Sequence, residues 1–143
     1  MNVSIAIPRK IASAYHVVCR KLCKELDLSQ TAFDILMFFG NNPEYKTASD
    51  IVEVRCIKAN LVSVNVEKLV NDGYLMRGKV KGDRRKTQLL CTDKSVAVIE
   101  QGRKLQKNFI ERLFDGIDEE TRKMLVSALV VMENNLNKIL DEE

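Results

Sequence analysis

The sequence of 143 residues has little of several features that define common protein classes. It contains two prolines, one histidine and 6% aromatic residues, against 30% charged residues. This balance favours a soluble, helix-rich chain, and its length fits one compact domain. No apolar run approaches the ~20 residues of a membrane span, and residues 1–10 lack the apolar core of a signal peptide. We therefore expect a cytoplasmic protein with no membrane association.

The residue sets of common enzymes are also missing. With a single histidine, the chain offers no complete set of nucleophile, base and orienting residue, and it has no glycine-rich phosphate loop. No complete set of metal ligands is visible in the sequence. We expect no catalytic residues, no cofactor and no metal, and an enzyme is the least favoured class.

Four cysteines are present, Cys19, Cys23, Cys56 and Cys91, and their spacing does not resemble a disulfide framework. Buried, reduced thiols are the simplest interpretation, and Cys56 and Cys91 lie in apolar contexts typical of packing. Cys19 and Cys23 share one side of the first predicted helix with His16 and Arg20. A cation beside a thiol can lower its pKa and produce a redox sensor, and His and Cys at this spacing could hold a metal with a ligand from a partner chain.

Charge is distributed unevenly along the chain. Residues 1–92 carry a net charge of +6, whereas residues 93–143 carry −3. This asymmetry indicates that the first part meets a polyanion and the second does not.

Hydrophobic periodicity predicts helices, then a hairpin, then two long helices. Ser29 and the capping box at Thr47–Asp50 mark helix starts, and Gly73 marks a helix end. The expected helices are 7–26, 30–39, 48–54, 58–72, 93 to about 114 and 119 to about 140, and the expected strands are 74–80 and 87–91. The predicted fold is mainly α with a small β-hairpin, and we assign 1–28 and 93–143 to dimerisation and 29–92 to DNA binding.

The last helix carries an apolar heptad seam, which requires a partner helix. Its members are Leu125, Leu129, Met132, Leu136 and Ile139. The partner could be a second copy of the chain or the first helix of the same chain, and we expect both to contribute.

Two short helices followed directly by a hairpin, within residues 47–92, form the arrangement of a winged helix-turn-helix. In such a fold the second helix enters the DNA major groove. Polar side chains expected on its outer face are Lys58, Asn60, Ser63, Asn65 and Lys68, which could bind base edges or could simply be a solvated face. We also expect Thr47 and Ser49 to contact DNA phosphates.

The predicted hairpin concentrates positive charge. Within ten residues there are six cations and a single acidic residue, Asp83. The cations are Arg77, Lys79, Lys81, Arg84, Arg85 and Lys86. A solvated turn is the alternative, but like charges so close together repel unless they meet a polyanion. Arginines on such a wing suit the narrow minor groove.

Specific motifs carry a resemblance to a known family. The segments LVNDGYL (69–75), GDRRK (82–86) and LLCT (89–92), with a helix following, resemble the MarR family of transcription regulators. The resemblance implies that Asp83 orients a nearby arginine, that Arg85 and Arg84 enter the minor groove, and that Ser63 faces DNA. The family often has arginine at the next position, where this chain has Val64, which either contacts a thymine methyl group or packs.

The resemblance also implies a dimer and an effector. The N- and C-terminal helices would form the dimer interface, with Ile7 and Ile11 joining the seam, and half-sites would lie about one turn, ~34–36 Å, apart. A small aromatic or lipophilic effector would bind a cleft between the DNA-binding and dimer parts. Candidate lining residues are Tyr15, Val18, Phe33, Met37 and Phe109, for which core packing is the alternative.

Together these observations predict a homodimeric repressor that binds a pseudo-palindromic operator and is released by a small molecule. A thiol-redox or metal-responsive switch on the same scaffold is one alternative. A winged-helix module that binds protein instead of DNA is the other.

Overall fold

The computed structural model describes residues 5–143, apart from the side chains of residues 83–86. Within this range the helices are α1 (Ala6–Leu26), α2 (Gln30–Asn41), α3 (Ala48–Arg55), α4 (Ala59–Asn71), α5 (Asp93–Leu113) and α6 (Glu119–Leu140). The strands β1 (Leu75–Val80) and β2 (Asp83–Cys91) form an antiparallel hairpin between α4 and α5. The predicted class, mainly α with a small β-hairpin, is confirmed.

The chain divides into two compact units. The first ends at Lys107, and the second comprises Asn108–Glu143. Helices α1 to α4 and the hairpin belong to the first unit, α6 belongs to the second, and α5 begins in one and ends in the other. The assignment of separate roles to 1–28, 29–92 and 93–143 stays a prediction.

Helix α2 lies at the centre of the core of the first unit. Its apolar residues continue around the helix, and Phe33, Ile35 and Leu36 are at most 1% exposed. A helix that is apolar on all sides must be covered on all sides. Ile51 of α3, together with Val62 and Leu69 of α4, is fully buried in the same core.

Local capping signals end and begin the helices where the sequence predicts. The Ser29 hydroxyl accepts a hydrogen bond from the Ala32 amide at 3.0 Å and starts α2. Thr47 and Asp50 form the complete capping box that starts α3. Helix α4 is followed by Gly73 at φ 80°, where the amide of Tyr74 donates to the Leu69 carbonyl, so the chain turns directly into β1.

The hairpin begins earlier on its second strand than the alternation of residues predicts. Leu75 pairs with Cys91 and Lys79 with Thr87, but Val80 pairs with Asp83, so the register shifts next to the turn. Gly82, at φ 89°, occupies the turn itself. Backbone from Lys46 adds to the outer edge, because the Leu89 amide donates to the Lys46 carbonyl at 2.6 Å. The hairpin is therefore anchored at its base to the segment that precedes α3.

Helix α6 buries no residue within its unit. Asp118 caps it, because its carboxylate accepts from the Thr121 amide at 2.7 Å. All five predicted seam residues are between 43% and 59% exposed, namely Leu125, Leu129, Met132, Leu136 and Ile139. None of the helices in residues 5–143 is both long and apolar enough to cross a membrane.

Candidate nucleic-acid interface

A tight turn joins α3 to α4. Cys56 closes α3 in the left-handed conformation, at φ 52°, and α4 begins three residues later at Ala59. Lys58 lies at the N-cap of α4, one residue before the helix, and both Lys58 and Arg55 are exposed. The turn thus presents two cations at the end of α4 that a helix-turn-helix directs toward DNA.

Helix α4 has one buried and one exposed face. Val62, Val66 and Leu69 are at most 4% exposed and pack in the core. Asn60 and Ser63 are exposed, as expected for residues that contact DNA. The inner row therefore fixes the helix in the fold and leaves the outer row available to a partner.

Asn65 was expected on the outer face, and this expectation is wrong. Its side chain is buried, its amide donates to the Leu61 carbonyl at 2.8 Å, and its oxygen accepts from the Ser29 hydroxyl at 2.8 Å. Asn65 comes three residues after Val62 and four before Leu69, so the helical period places it on the inner face. Polarity alone suggested the outer face, whereas the spacing could have identified the true position.

Lys68 is held at the C-terminal end of α4 by ion pairs. Its ammonium lies 2.9 Å from the Asp72 carboxylate and 3.5 Å from that of Asp27. The hydrogen bond to Asp72 raises the pKa of Lys68. Since both acidic partners belong to the same chain, Lys68 has less free charge for DNA than the sequence suggests.

Val64 occupies the centre of the exposed face. It is 68% exposed, so packing in the core, one of the two alternatives for this residue, is excluded. Leu61, three residues earlier, is 45% exposed. The two side chains, three residues apart on the helix, form a small apolar patch beside Asn60.

The hairpin presents cations beside α4, but one of them is already paired. Arg77 of β1 donates to the Glu67 carboxylate of α4 at 2.6 Å, which ties strand and helix together. Lys79 and Lys81 are exposed. The predicted wing residues Asp83, Arg84, Arg85 and Lys86 lie outside the described side chains, so their DNA contacts stay a prediction.

A groove of about 360 Å³ runs between α3, α4 and the hairpin. Ser49 and Ser63 face it from the two helices, and Arg77 closes it from β1. Thr47 is half-buried, and its hydroxyl accepts from the Asp50 amide at 3.2 Å in the capping box. The predicted phosphate contacts therefore lie at the N-terminal end of α3, next to the exposed face of α4.

Two of the residues proposed to line an effector cleft are packed in the core of the first unit instead. Phe33 and Met37 are 0% and 2% exposed and belong to the core. Gly102 of α5 explains this, because a Cβ there would lie 2.8 Å from Met37 Cε and 3.2 Å from Phe33 Cζ. Tyr15 and Val18 are half-buried in the first unit, and Phe109 is half-buried in the second. An effector stays a prediction.

Two of the four thiols are buried, as expected for all of them, and two are not. Cys19 and Cys23 are 0% and 7% exposed, whereas Cys56 and Cys91 are exposed, which corrects their assignment to packing. Cys56 lies in the turn after α3, and Cys91 is the last residue of β2. Burial raises the pKa of the Cys19 thiol and raises that of Cys23 to about 11. A sensor thiol needs a lowered pKa, so the environment disfavours thiol sensing at α1.

A metal-responsive switch would need a set of metal ligands, and the described part of the chain contains none. Within residues 5–82 and 87–143, no three His, Cys, Asp or Glu side chains lie close enough together to hold a metal ion. Neither switch is therefore favoured by the structure.

The helices α3 and α4 form a pair in which the second helix has an exposed face, and a hairpin follows directly. This arrangement defines a winged helix-turn-helix protein. Comparison with known proteins supports the same class. Residues 26–86 match the MarR family. The resemblance to the MarR family of transcription regulators that the motifs around the hairpin indicate is thereby confirmed.

Relatives agree with this assignment. The chain is 26% identical over 112 residues to YdgJ of Bacillus subtilis, an uncharacterized HTH-type transcriptional regulator, covering 78% of this chain and 68% of that protein. A MarR family regulator of Listeria monocytogenes, solved with a 26mer DNA, has a TM-score of 0.85 at 20% identity, covering 95% of this chain and 90% of that one. A MarR regulator of Methanosarcina mazei has a TM-score of 0.79 at 21% identity, covering 92% and 94%. These structural likenesses establish the fold.

Proposed function

We propose that this protein binds a pseudo-palindromic operator as a homodimer and represses transcription from the promoter it occupies. The observation that carries the proposal is the exposed outer face of α4, set between the cations of the α3–α4 turn and those of the hairpin. A helix presented in this way enters the major groove, while the hairpin follows the adjacent minor groove.

Charge supports the same arrangement. Arg55 and Lys58 lie at the turn, and Lys79 and Lys81 lie on the hairpin, all exposed. Exposed cations on both sides of a helix neutralise phosphates on both sides of a groove, which supplies affinity without sequence preference. Base edges would then be read by Asn60 and Ser63, because Asn and Ser can hydrogen-bond to base edges.

A relative supports DNA as the ligand. The Listeria monocytogenes regulator with the same fold was solved with a 26mer DNA, and its fold covers 95% of this chain. A winged helix-turn-helix of this length and element order therefore suits a DNA duplex. Protein binding through the same face is the competing function, and the salt dependence described below separates the two.

The apolar surface of α6 supports the homodimer. Leu129, Leu136 and Ile139 are each about half exposed although they repeat at heptad spacing. Large contiguous apolar patches on soluble proteins mark interfaces. A two-fold dimer would pair this seam with its own copy, and it would place two copies of α4 against two half-sites.

Duplex binding across a salt series tests the proposal. Labelled DNA from just upstream of the gene for this protein is titrated with the purified protein, and fluorescence anisotropy gives the Kd at each salt concentration. Each neutralised phosphate contributes close to one unit of slope. We expect specific binding that weakens steeply with salt and is lost in the Arg84→Ala/Arg85→Ala double variant. Transcription in vitro from the same promoter should fall as the protein is added.

A matched control removes two cations elsewhere. Lys104→Ala/Lys107→Ala changes the net charge equally but affects the exposed face of α5. Its affinity and salt slope should stay within error of the original protein. Absence of salt-sensitive binding to any duplex, from a folded dimer, would instead favour the protein-interaction module.

A further inference from the structure

The outermost row of α4 contains an apolar residue at its centre. Asn60, Val64 and Glu67 follow one another at helical spacing, opposite the buried Val62 and Val66. Val64 is the most exposed large apolar residue of α4, at 68%. This outermost row is the one that would meet the floor of a DNA groove. Binding would remove water from Val64, and this is favourable only if an apolar group on the DNA lies against the side chain.

The surroundings of Val64 identify the occupant as DNA. The patch that it forms with Leu61 is small and shares the helix with the polar, exposed side chains Asn60 and Ser63, and exposed cations stand at the N-cap of the helix, Lys58, and on the hairpin, Lys79. A protein partner would need a larger apolar surface without these charges. A major groove offers phosphates to the cations and one apolar group on its floor, the 5-methyl group of thymine.

We propose that Val64, with Leu61 beside it, reads the 5-methyl group of one thymine in each half-site of the operator. This proposal rests on the DNA-binding function proposed above. Val64 carries no side-chain hydrogen-bond donor, so it cannot read guanine or a phosphate as an arginine would. Asn65 cannot substitute for it, because that side chain is buried and bonded to Ser29. The preference at this base pair therefore comes from contact with a methyl group.

Deoxyuridine substitution isolates the methyl group, because deoxyuridine pairs as thymine does but lacks the 5-methyl. The preferred duplex is first selected from a randomised library with the intact protein. Each thymine is then replaced in turn by deoxyuridine, and the Kd is measured. We expect one sensitive thymine in each half-site, with a loss of about fourfold for one methyl group and about fifteenfold when both are removed.

Two variants connect the effect to Val64. Val64→Ala shortens an exposed side chain, so the melting temperature should not change, but the variant should bind thymine and deoxyuridine duplexes equally. Val96→Ala makes the same change at a site on α5 that is 56% exposed. It should discriminate between the duplexes as strongly as the original protein does.

The outcomes separate this proposal from the one on which it rests. Equal binding to all deoxyuridine duplexes, or undiminished discrimination in Val64→Ala, overturns methyl recognition and leaves operator binding intact. Failure to select any duplex from the library overturns operator binding itself, and methyl recognition with it.

Discussion

The Ser29 hydroxyl donates a hydrogen bond to the side-chain oxygen of Asn65 at 2.8 Å. The same hydroxyl accepts from the Ala32 amide at the start of α2. One oxygen therefore caps the central helix of the core and holds the inner face of the helix proposed to read DNA. Asp27 and Lys68 connect the same two regions at 3.5 Å.

Loss of the hydrogen bond between Ser29 and Asn65 should destabilise the protein, and the effects of changing the two residues should not be additive. Asn65→Leu leaves the Ser29 donor without its acceptor, and we expect a loss of about 1–3 kcal/mol in the free energy of unfolding. Ser29→Ala should cost about 1 kcal/mol or more, because the cap of α2 is lost as well. Urea denaturation of both variants and the double variant, at one protein concentration, gives the coupling energy, expected at about 0.5–3 kcal/mol.

Asn60→Leu is the matched control for that cycle, since it makes the same change on the exposed face of α4. Its stability should change by less than about 0.5 kcal/mol. Strict additivity of Asn65→Leu and Ser29→Ala would mean that the hydrogen bond contributes nothing to folding.

Gly102→Ala should lower stability although it replaces glycine inside a helix. That change ordinarily stabilises a helix by about 1 kcal/mol. Here the added Cβ would meet the sulfur and the methyl of Met37 and come within 3.2 Å of Phe33, both in the core. We expect a net loss of about 1–3 kcal/mol from overpacking, seen as a fall in melting temperature. Met37→Ala should destabilise the Gly102→Ala protein less than it destabilises the original protein, because it removes the side chain that the added Cβ would meet. A rise in melting temperature for Gly102→Ala alone would contradict the close approach.

The thiols should react in a fixed order with an aromatic disulfide reagent. Cys56 is exposed and should react first. Cys91 should follow more slowly, because partial burial raises the pKa of its thiol. Cys19 and Cys23 should react only when the fold opens. Mass spectrometry of the labelled peptides gives the order, and early labelling of Cys19 would contradict the burial of its side chain.

Alkaline pH should reveal the raised pKa of Cys23. Between about pH 9 and its folded pKa of about 11, the unfolded chain releases the thiol proton while the folded chain retains it. The unfolded state then binds fewer protons, so the free energy of unfolding falls as the pH rises. Stability of Cys23→Ala should fall less steeply over this range, and identical slopes would contradict the assignment.

Charge on the α6 seam should separate the subunits of the proposed dimer. Leu129→Glu places a carboxylate in a surface that is 49% exposed in the single chain. We expect sedimentation to show a monomer, and operator affinity to fall by at least tenfold because the two half-sites are no longer bound together. Asn134→Glu, at a polar position of α6, should remain dimeric. A dimeric Leu129→Glu protein would place the interface elsewhere.

Periodicity and caps predicted the elements well because both signals are local. Ser29 and Thr47 start helices where the sequence indicates, since each cap needs only residues within the next turn. The hairpin start was missed by four residues on β2, because Asp83 pairs across the turn with Val80 and alternation does not continue into the cations.

Contacts between distant elements could not be read from the chain. The Arg103 guanidinium of α5 donates to the Gly40 carbonyl at 2.7 Å and to Asn41 at 3.0 Å, which fixes α5 at the end of α2. The sequence predicts Arg77 as one of the cations that meet DNA, whereas in the structure it is paired with Glu67 of α4. Such pairing depends on the crossing of elements, and no spacing rule within a single element encodes it.

Because α4 has one buried and one exposed face, different residues of the same helix determine the stability of the fold and the choice of operator. Mutations in the row containing Val62, Val66 and Leu69 change the stability of the protein, because those side chains fill the core. Mutations at Asn60 and Val64 leave the core unchanged, so a lineage can explore new operators without first losing a stable protein. The same property makes those positions a natural library for orthogonal regulators, in which many specificities are installed on one unaltered scaffold.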